Sequence, residues 1–278
     1  MIPAAFVAGW PVTHSRSPLI HKFWLERYGL AGDYRKEAIE PERAAQFFSG
    51  FDESGYVGGN VTVPHKRVAY SACDRLTRTA QRLGAVNTLW REGGLVWGDN
   101  TDGDGFAANL DQQAPSWDGG TTALVIGAGG AARAVIGALL DRGFRTVSAV
   151  NRTESKAHEI ASVLGSRVTS AGLEALPVLL PGADLIVNAT SSGLHGSAPV
   201  EVDWRRANPR AIATDLTYVP LVTPFLADAA AAGLTTVDGL GMLLQQAVPG
   251  FERWFGVRPI VDASLREHIL ADLAAQHC

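Results

Sequence analysis

Short apolar runs alternate along the chain with longer stretches whose apolar residues recur at helical spacing. Ala4–Gly9 reads as a short buried strand that opens into a hydroxyl-rich loop, Gly9–Pro18. Ser17 and Pro18 read as the N-cap and first position of a helix, which Leu19, Ile20, Phe23 and Trp24 carry to Tyr28. A strand over Tyr34–Ile39 and a helix over Pro41–Phe48 come next. Gly58–Pro64 is a strand placing Asn60 and Thr62 on one face, and Pro64-His65-Lys66 begins a helix with Cys73 on it as inert packing. Two strands, Ala85–Trp90 and Leu95–Gly98, flank the turn Glu92-Gly93-Gly94.

The second half repeats the alternation with more apolar strands. Thr122–Ile126 has the composition of a strand buried on both faces, and Ala134–Leu140 that of a packed helix. Further strands are predicted at Arg145–Val150, Asp184–Asn188, Ala211–Asp215 and Thr235–Val237. One helix starts at Gly239 and continues through Gln246, and another covers Ser264–Ala275. Strands alternating with helices define an α/β protein.

Composition narrows the function classes. A chain of 278 residues, 46% hydrophobic and 19% charged, has room for two domains with separate cores. A net charge of -4 supplies no basic field for nucleic acid or an anionic membrane surface. Cys73 and Cys278 lie far apart, which argues against a disulfide framework and for a reducing compartment. The start of the chain shows no signal-peptide pattern, and the apolar runs are too short to span a bilayer, so a soluble cytoplasmic protein is expected. No His, Cys and acid cluster has metal-ligand spacing.

Between the strand Thr122–Ile126 and its helix lies Gly127-Ala128-Gly129-Gly130-Ala131-Ala132. In such a turn Gly127 permits the tight bend, Gly129 lets backbone N–H groups approach a pyrophosphate, and Ala132 allows close helix–strand packing. The helix start supplies unpaired N–H donors and partial positive charge. About 20 residues on, an NAD site would place an acid on the ribose 2′-hydroxyl. This chain instead has Asn151-Arg152-Thr153, with Lys156 nearby. The Arg152 fork, the Thr153 hydroxyl and the Lys156 charge suit a 2′-phosphate, which favours NADP over NAD. The alternative has Thr153 capping a helix and Arg152 solvated.

In the first half Ser15, Ser17, Asn60, Thr62, Lys66, Asn87 and Asp102 fall at strand ends or in adjoining loops, where open α/β sheets bind small ligands. Hydroxyls and amides that both donate and accept suit a polyhydroxylated substrate, and Lys66 suits a carboxylate. Each also has a plainer reading: the serines and Asp102 as helix caps, the asparagines as turn residues, Lys66 as a surface lysine. His14 is read as orienting its loop, since no acid partner is evident.

These candidate residues fall within a series of longer motifs. They are His14-Ser15-Arg16-Ser17-Pro18, Gly59-Asn60-Val61-Thr62-Val63-Pro64-His65-Lys66, Gly84-Ala85-Val86-Asn87-Thr88 and Gly98-Asp99-Asn100-Thr101-Asp102-Gly103. The glycine turn through Arg133, Asn151-Arg152-Thr153, Asn188-Ala189-Thr190-Ser191-Ser192-Gly193 and Asp238-Gly239 with Met242, Leu243 and Gln246 complete the series. Singly each is unspecific; their joint order and spacing are highly specific, and together they resemble the shikimate dehydrogenase family over nearly the whole chain.

The resemblance implies reversible reduction of 3-dehydroshikimate to shikimate by NADPH, in aromatic amino-acid biosynthesis. It implies an N-terminal α/β substrate domain (1–103 and 240–278), a Rossmann-like NADP-binding domain (104–239), and a cleft between them. By the same resemblance Ser15, Ser17, Asn60, Thr62, Asn87, Tyr218 and Gln246 contact substrate, and Lys66 and Asp102 are the catalytic pair. Gly127, Ala128, Gly129, Gly130, Ala131, Asn151, Arg152, Thr153, Lys156, Leu216 and Gly239 hold NADP. No metal, nucleic acid or membrane is implied, and the chain is expected as a monomer or homodimer. Arg78 stands where some members carry an acid. Two rivals remain: a quinate/shikimate dehydrogenase of the same fold, and a non-catalytic sensor of NADP or shikimate.

Overall fold

The computed structural model describes residues 2–190, 192 and 198–275. Ser191 and Gly193 of the polar turn, and Cys278, lie outside the described residues. The chain divides into two compact units, Met1–Thr101 with Leu244–Cys278, and Asp102–Leu243.

The first unit holds a mixed sheet of β1 (Ala4–Gly9), β2 (Asp33–Ala38), β3 (Gly58–Val61), β4 (Arg75–Leu76), β5 (Thr88–Glu92) and β6 (Leu95–Asp99), in the order β2-β1-β3-β5-β6-β4. β1 pairs in parallel with both β2 and β3, whereas β5 runs antiparallel to β3 and β6. Alternate residues of β1 feed opposite faces. Phe6 and Ala8 join a cluster with Phe48, Phe51 and Leu89, while Ala5 and Val7 pack with Tyr34, Trp90 and Trp254. The helix Val248–Phe255 is fastened to the sheet by Trp254, whose indole N–H donates to the Leu89 carbonyl at 2.8 Å.

The second unit is all parallel: β7 (Thr122–Ile126), β8 (Thr146–Val150), β9 (Val168–Ala171), β10 (Leu185–Asn188), β11 (Ile212–Asp215) and β12 (Thr235–Val237), ordered β12-β11-β10-β7-β8-β9. This is the doubly wound order with its reversal between β7 and β10, where such sheets bind ligands at the strands' carboxyl ends. Apolar clusters cover both faces, one including Val125, Val135 and Val187, the other Leu124, Ile186 and Phe225. That two-sided burial explains why these strands are continuous apolar runs.

Three local expectations are corrected. Ser17 is the first residue of the helix Ser17–Arg27 and not its cap; Arg16 occupies the cap without a side-chain bond. The reason is that the Ser15 hydroxyl accepts the Ser17 N–H at 3.3 Å, taking the capping role upstream. Cys73 lies just past the helix Lys66–Ala72, in extended backbone, with its thiol donating to the Ala69 carbonyl. The helix from Leu240 ends at Gln245, so Gln246 sits in a turn before the helix Val248–Phe255. Pro249 has no N–H to offer the Gln245 carbonyl, so one continuous helix cannot form.

Candidate active site

In the first unit Ser15 and Ser17 come together, with 3.3 Å between their hydroxyls. Their loop is tied to the body of the unit by Arg16, which is buried. Its guanidinium donates to the His14 carbonyl at 2.8 Å and pairs with Asp272 of the helix Ala263–Ala275 at 2.6 Å. Lys36 also donates to the Thr13 carbonyl. His14 itself is exposed and contributes its main chain to this arrangement.

Asn60 on β3 and Asn87 just before β5 are joined through Thr88. The Asn60 amide donates to Thr88 Oγ1 and to the Asn87 carbonyl, both at 3.3 Å, and the Thr88 hydroxyl donates to Asn87 Oδ1 at 2.8 Å. Thr62 follows β3 and its N–H donates to the Ala8 carbonyl at 2.8 Å. Lys66 is the half-buried first residue of its helix, and its carbonyl accepts the Val86 N–H at 2.9 Å, next to Asn87. The Gln246 carbonyl accepts from Thr101 at 2.8 Å. The residue after Thr101 is Asp102, buried at the start of the helix Asp102–Gln113, where the second unit begins. Arg78 is exposed, on the first turn of a helix capped by Thr77.

Beneath this surface lies an aromatic layer that sequence patterns left unassigned. The Tyr34 hydroxyl donates to Asn60 Oδ1 at 2.6 Å, and its ring stacks on His21 with centroids 4.0 Å apart. Burial raises the Tyr34 pKa well above its ordinary value, which keeps the phenol protonated. Burial likewise drives His21 down to about 3, against a smaller opposing influence from Asn60, so the imidazole is neutral. Among the described residues no group of three or more His, Cys, Asp or Glu is arranged to hold a metal ion, and no helix is long and apolar enough to cross a membrane.

In the second unit the glycine turn sits at the reversal point of the sheet. Gly127 has φ +123°, and a Cβ there would lie 2.8 Å from the Ala189 carbonyl, so only glycine fits. Around Gly129 and Gly130 a Cβ would meet nothing within 4 Å, which leaves an open approach to the start of the helix Gly130–Asp141. No side chain caps that helix. Its first N–H groups and the adjoining space fit a pyrophosphate.

Gly127, Ala128 and Gly129 line a cavity of about 760 Å³ together with Asn151, Arg152, Thr153 and Lys156. Arg152, Thr153 and Lys156 are exposed, and Thr153 occupies the cap of the helix Glu154–Leu164 without a side-chain cap bond. Glu174 and Glu201 line the same cavity. The lining also includes Thr190 and Ser192 of the polar turn after β10, where Thr190 donates through both N–H and hydroxyl to Asn188 Oδ1. Leu216 and Gly239 meet each other: a Cβ on Gly239 would stand 2.5 Å from the Leu216 carbonyl. Tyr218 is half-buried in the segment after β11. The structure therefore places the residues expected to hold NADP in three groups: the glycine turn, a cationic group and the Leu216–Gly239 contact.

A doubly wound parallel sheet with a glycine turn at its reversal, in a chain that also has an α/β unit carrying paired serines and asparagines, defines a dinucleotide-linked α/β protein. Comparison with known proteins narrows this class. Residues 7–89 match the shikimate dehydrogenase substrate binding domain, residues 111–242 the shikimate / quinate 5-dehydrogenase family, and residues 239–263 the shikimate 5'-dehydrogenase C-terminal domain. The chain belongs to the shikimate dehydrogenase family. It is 54% identical to the shikimate dehydrogenase (NADP(+)) of Brucella melitensis over 97% of this chain and 94% of that protein. It also resembles the structure of Thermus thermophilus shikimate 5-dehydrogenase in complex with NADP(H) and shikimate. That match has TM-score 0.86 and 36% identity, covering 98% of this chain and all of the other. The quinate dehydrogenase of Corynebacterium glutamicum in complex with NAD matches with TM-score 0.88 and 26% identity, over 97% and 99% of the two chains.

Proposed function

We propose that the chain is a shikimate dehydrogenase, catalysing the reversible NADPH-dependent reduction of 3-dehydroshikimate to shikimate in aromatic amino-acid biosynthesis. One observation carries the reading. A glycine turn and an Arg152–Lys156 cationic wall share one cavity, in a chain 54% identical to an NADP-linked relative across nearly its whole length. When bound, NADP(H) would supply the hydride for the ketone carbon, or accept it in reverse. The backbone N–H groups following Gly129 hold the pyrophosphate, and Arg152, Thr153 and Lys156 hold the 2′-phosphate.

The first unit binds the substrate. Ser15 and Ser17 take its carboxylate, while Asn60, Thr62, Asn87 and Gln246 take its hydroxyls, and Tyr218 contacts it as well. As the ketone oxygen gains negative charge, the Lys66 ammonium stabilises it and donates the proton; in the oxidation direction the neutral amine receives that proton. Asp102 orients the reacting hydroxyl. The enzyme acts in the cytoplasm as a monomer or homodimer. The structural likeness to a quinate dehydrogenase keeps quinate as the second candidate, and the 26% identity to that protein, against 54% to the NADP-linked shikimate relative, favours shikimate. The test is 3-dehydroshikimate-dependent loss of NADPH absorbance by the purified chain. Steady turnover is expected, and none at saturating ligands overturns the reading.

A further inference from the structure

We propose that Thr88 and Thr101 are positioning residues that fix which way the Asn60 and Asn87 amides face, through one directed hydrogen-bond chain running from Tyr34 to the Gln246 main chain. This rests on the functional reading above. Three main-chain groups set the direction. The Asn87 carbonyl can only accept, so Asn60 turns its Nδ2 toward it, and Oδ1 is left facing the Tyr34 hydroxyl, which must donate. The Thr101 N–H can only donate, and it meets Asn87 Oδ1 at 2.9 Å, so Nδ2 faces the other way, toward Thr101 Oγ1 at 3.1 Å. The Gln246 carbonyl can only accept, and it takes the Thr101 hydroxyl proton at 2.8 Å.

The remaining hydroxyl, Thr88, accepts from Asn60 Nδ2 and, with Asn87 Oδ1 at 2.8 Å and Thr101 Oγ1 at 3.3 Å both within reach, donates to the nearer, Asn87 Oδ1. The full order is Tyr34 to Asn60 to Thr88 to Asn87 to Thr101 to Gln246, each donating to the next. Thr88 and Thr101 are 1% exposed and Asn87 3%, so water does not substitute for a lost link. An asparagine turned over would place two acceptors, or two donors, against each other at a buried contact. The two threonines thereby determine the donor and acceptor pattern that the asparagines present to a hydroxylated ligand.

The test compares Thr88→Val, which keeps the side-chain shape and removes the hydroxyl, with Thr88→Ser, which keeps the hydroxyl. In the full chain Thr88→Val should raise the KM for shikimate by about ten-fold, the scale of one buried hydrogen bond, with NADP affinity unchanged. Thr88→Ser should restore KM to within about two-fold. Thr101→Val should act in the same direction, so the proposal stays testable if either valine variant fails to fold. Wild-type KM in the valine variants, or a Thr88→Ser variant as impaired as Thr88→Val, would overturn it. An unmutated chain that neither binds nor turns over shikimate would instead remove the functional reading, a result visible before any variant is measured.

Discussion

The candidate substrate residues and the candidate dinucleotide residues are built on opposite plans. Asn60, Asn87 and Gln246 are bonded through buried threonines into one network, and Ser15 and Ser17 are bonded to each other. Arg152, Thr153 and Lys156 stand exposed in an open cavity that two carboxylates also line. The first arrangement discriminates by fixed donors and acceptors, so an analogue with one misplaced hydroxyl leaves buried groups unpaired. The second discriminates by charge and by the arginine fork, and is accessible to solvent ions. Substrate recognition should therefore be sensitive to single buried hydroxyls, and cofactor recognition to salt.

The largest expected effect belongs to the acid–base group. Lys66→Ala should lower kcat by about 10²-fold or more while NADP affinity holds, read by steady-state kinetics beside calorimetric titration. Near-normal turnover would remove Lys66 from the mechanism. Next, Arg152→Ala should weaken NADP by about ten-fold or more and leave NAD nearly untouched, with the difference shrinking at high salt. Equal losses for the two dinucleotides would contradict the 2′-phosphate assignment.

Smaller changes probe how the substrate half is held. Asp272→Asn breaks the ion pair that tethers Arg16 behind the paired serines, and should raise the KM for shikimate a few-fold with little change in kcat. A kcat loss without a KM change would place Asp272 elsewhere in the account. His21 gives a pH signature in stability. Its folded pKa of about 3 lies below the ordinary 6.5, so the unfolded chain binds the proton first as pH falls. The stability that neutral His21 contributes is complete above about pH 6.5 and is lost progressively toward about pH 3. His21→Phe should flatten that decline, seen as urea midpoints that differ less between about pH 4 and about pH 7 than in the parent. An unchanged slope would mean that other groups govern the acid limb.

How much was legible in the sequence follows the same division. The second unit was readable because strands buried on both faces are written as unbroken apolar runs, and the glycine turn is local. The edge strands β4 and β9 escaped notice: one has two residues, and the other carries Thr169 and Ser170. In the first unit the asparagines and serines could be picked out, since each lies in a polar motif at a strand end. Their connections could not. Tyr34 lies 26 residues from Asn60 and Thr101 lies 145 from Gln246, and no local pattern encodes such contacts. The error at Ser17 has a different origin. Serine before proline does favour a helix start, but Ser15 supplies an accepting hydroxyl two residues earlier. The helix break at Gln246 was signalled by Pro249, and the apolar run around it obscured the signal.

The measurement that bears on both halves at once is nicotinamide absorbance against time, crossing shikimate and quinate with NADP⁺ and NAD⁺. The account predicts turnover concentrated in the shikimate and NADP⁺ combination, with quinate and NAD⁺ each poor on its own axis. Comparable rates with quinate would contradict the substrate half, comparable rates with NAD⁺ the Arg152 wall, and silence in all four with NADP binding intact would leave a sensor in place of an enzyme.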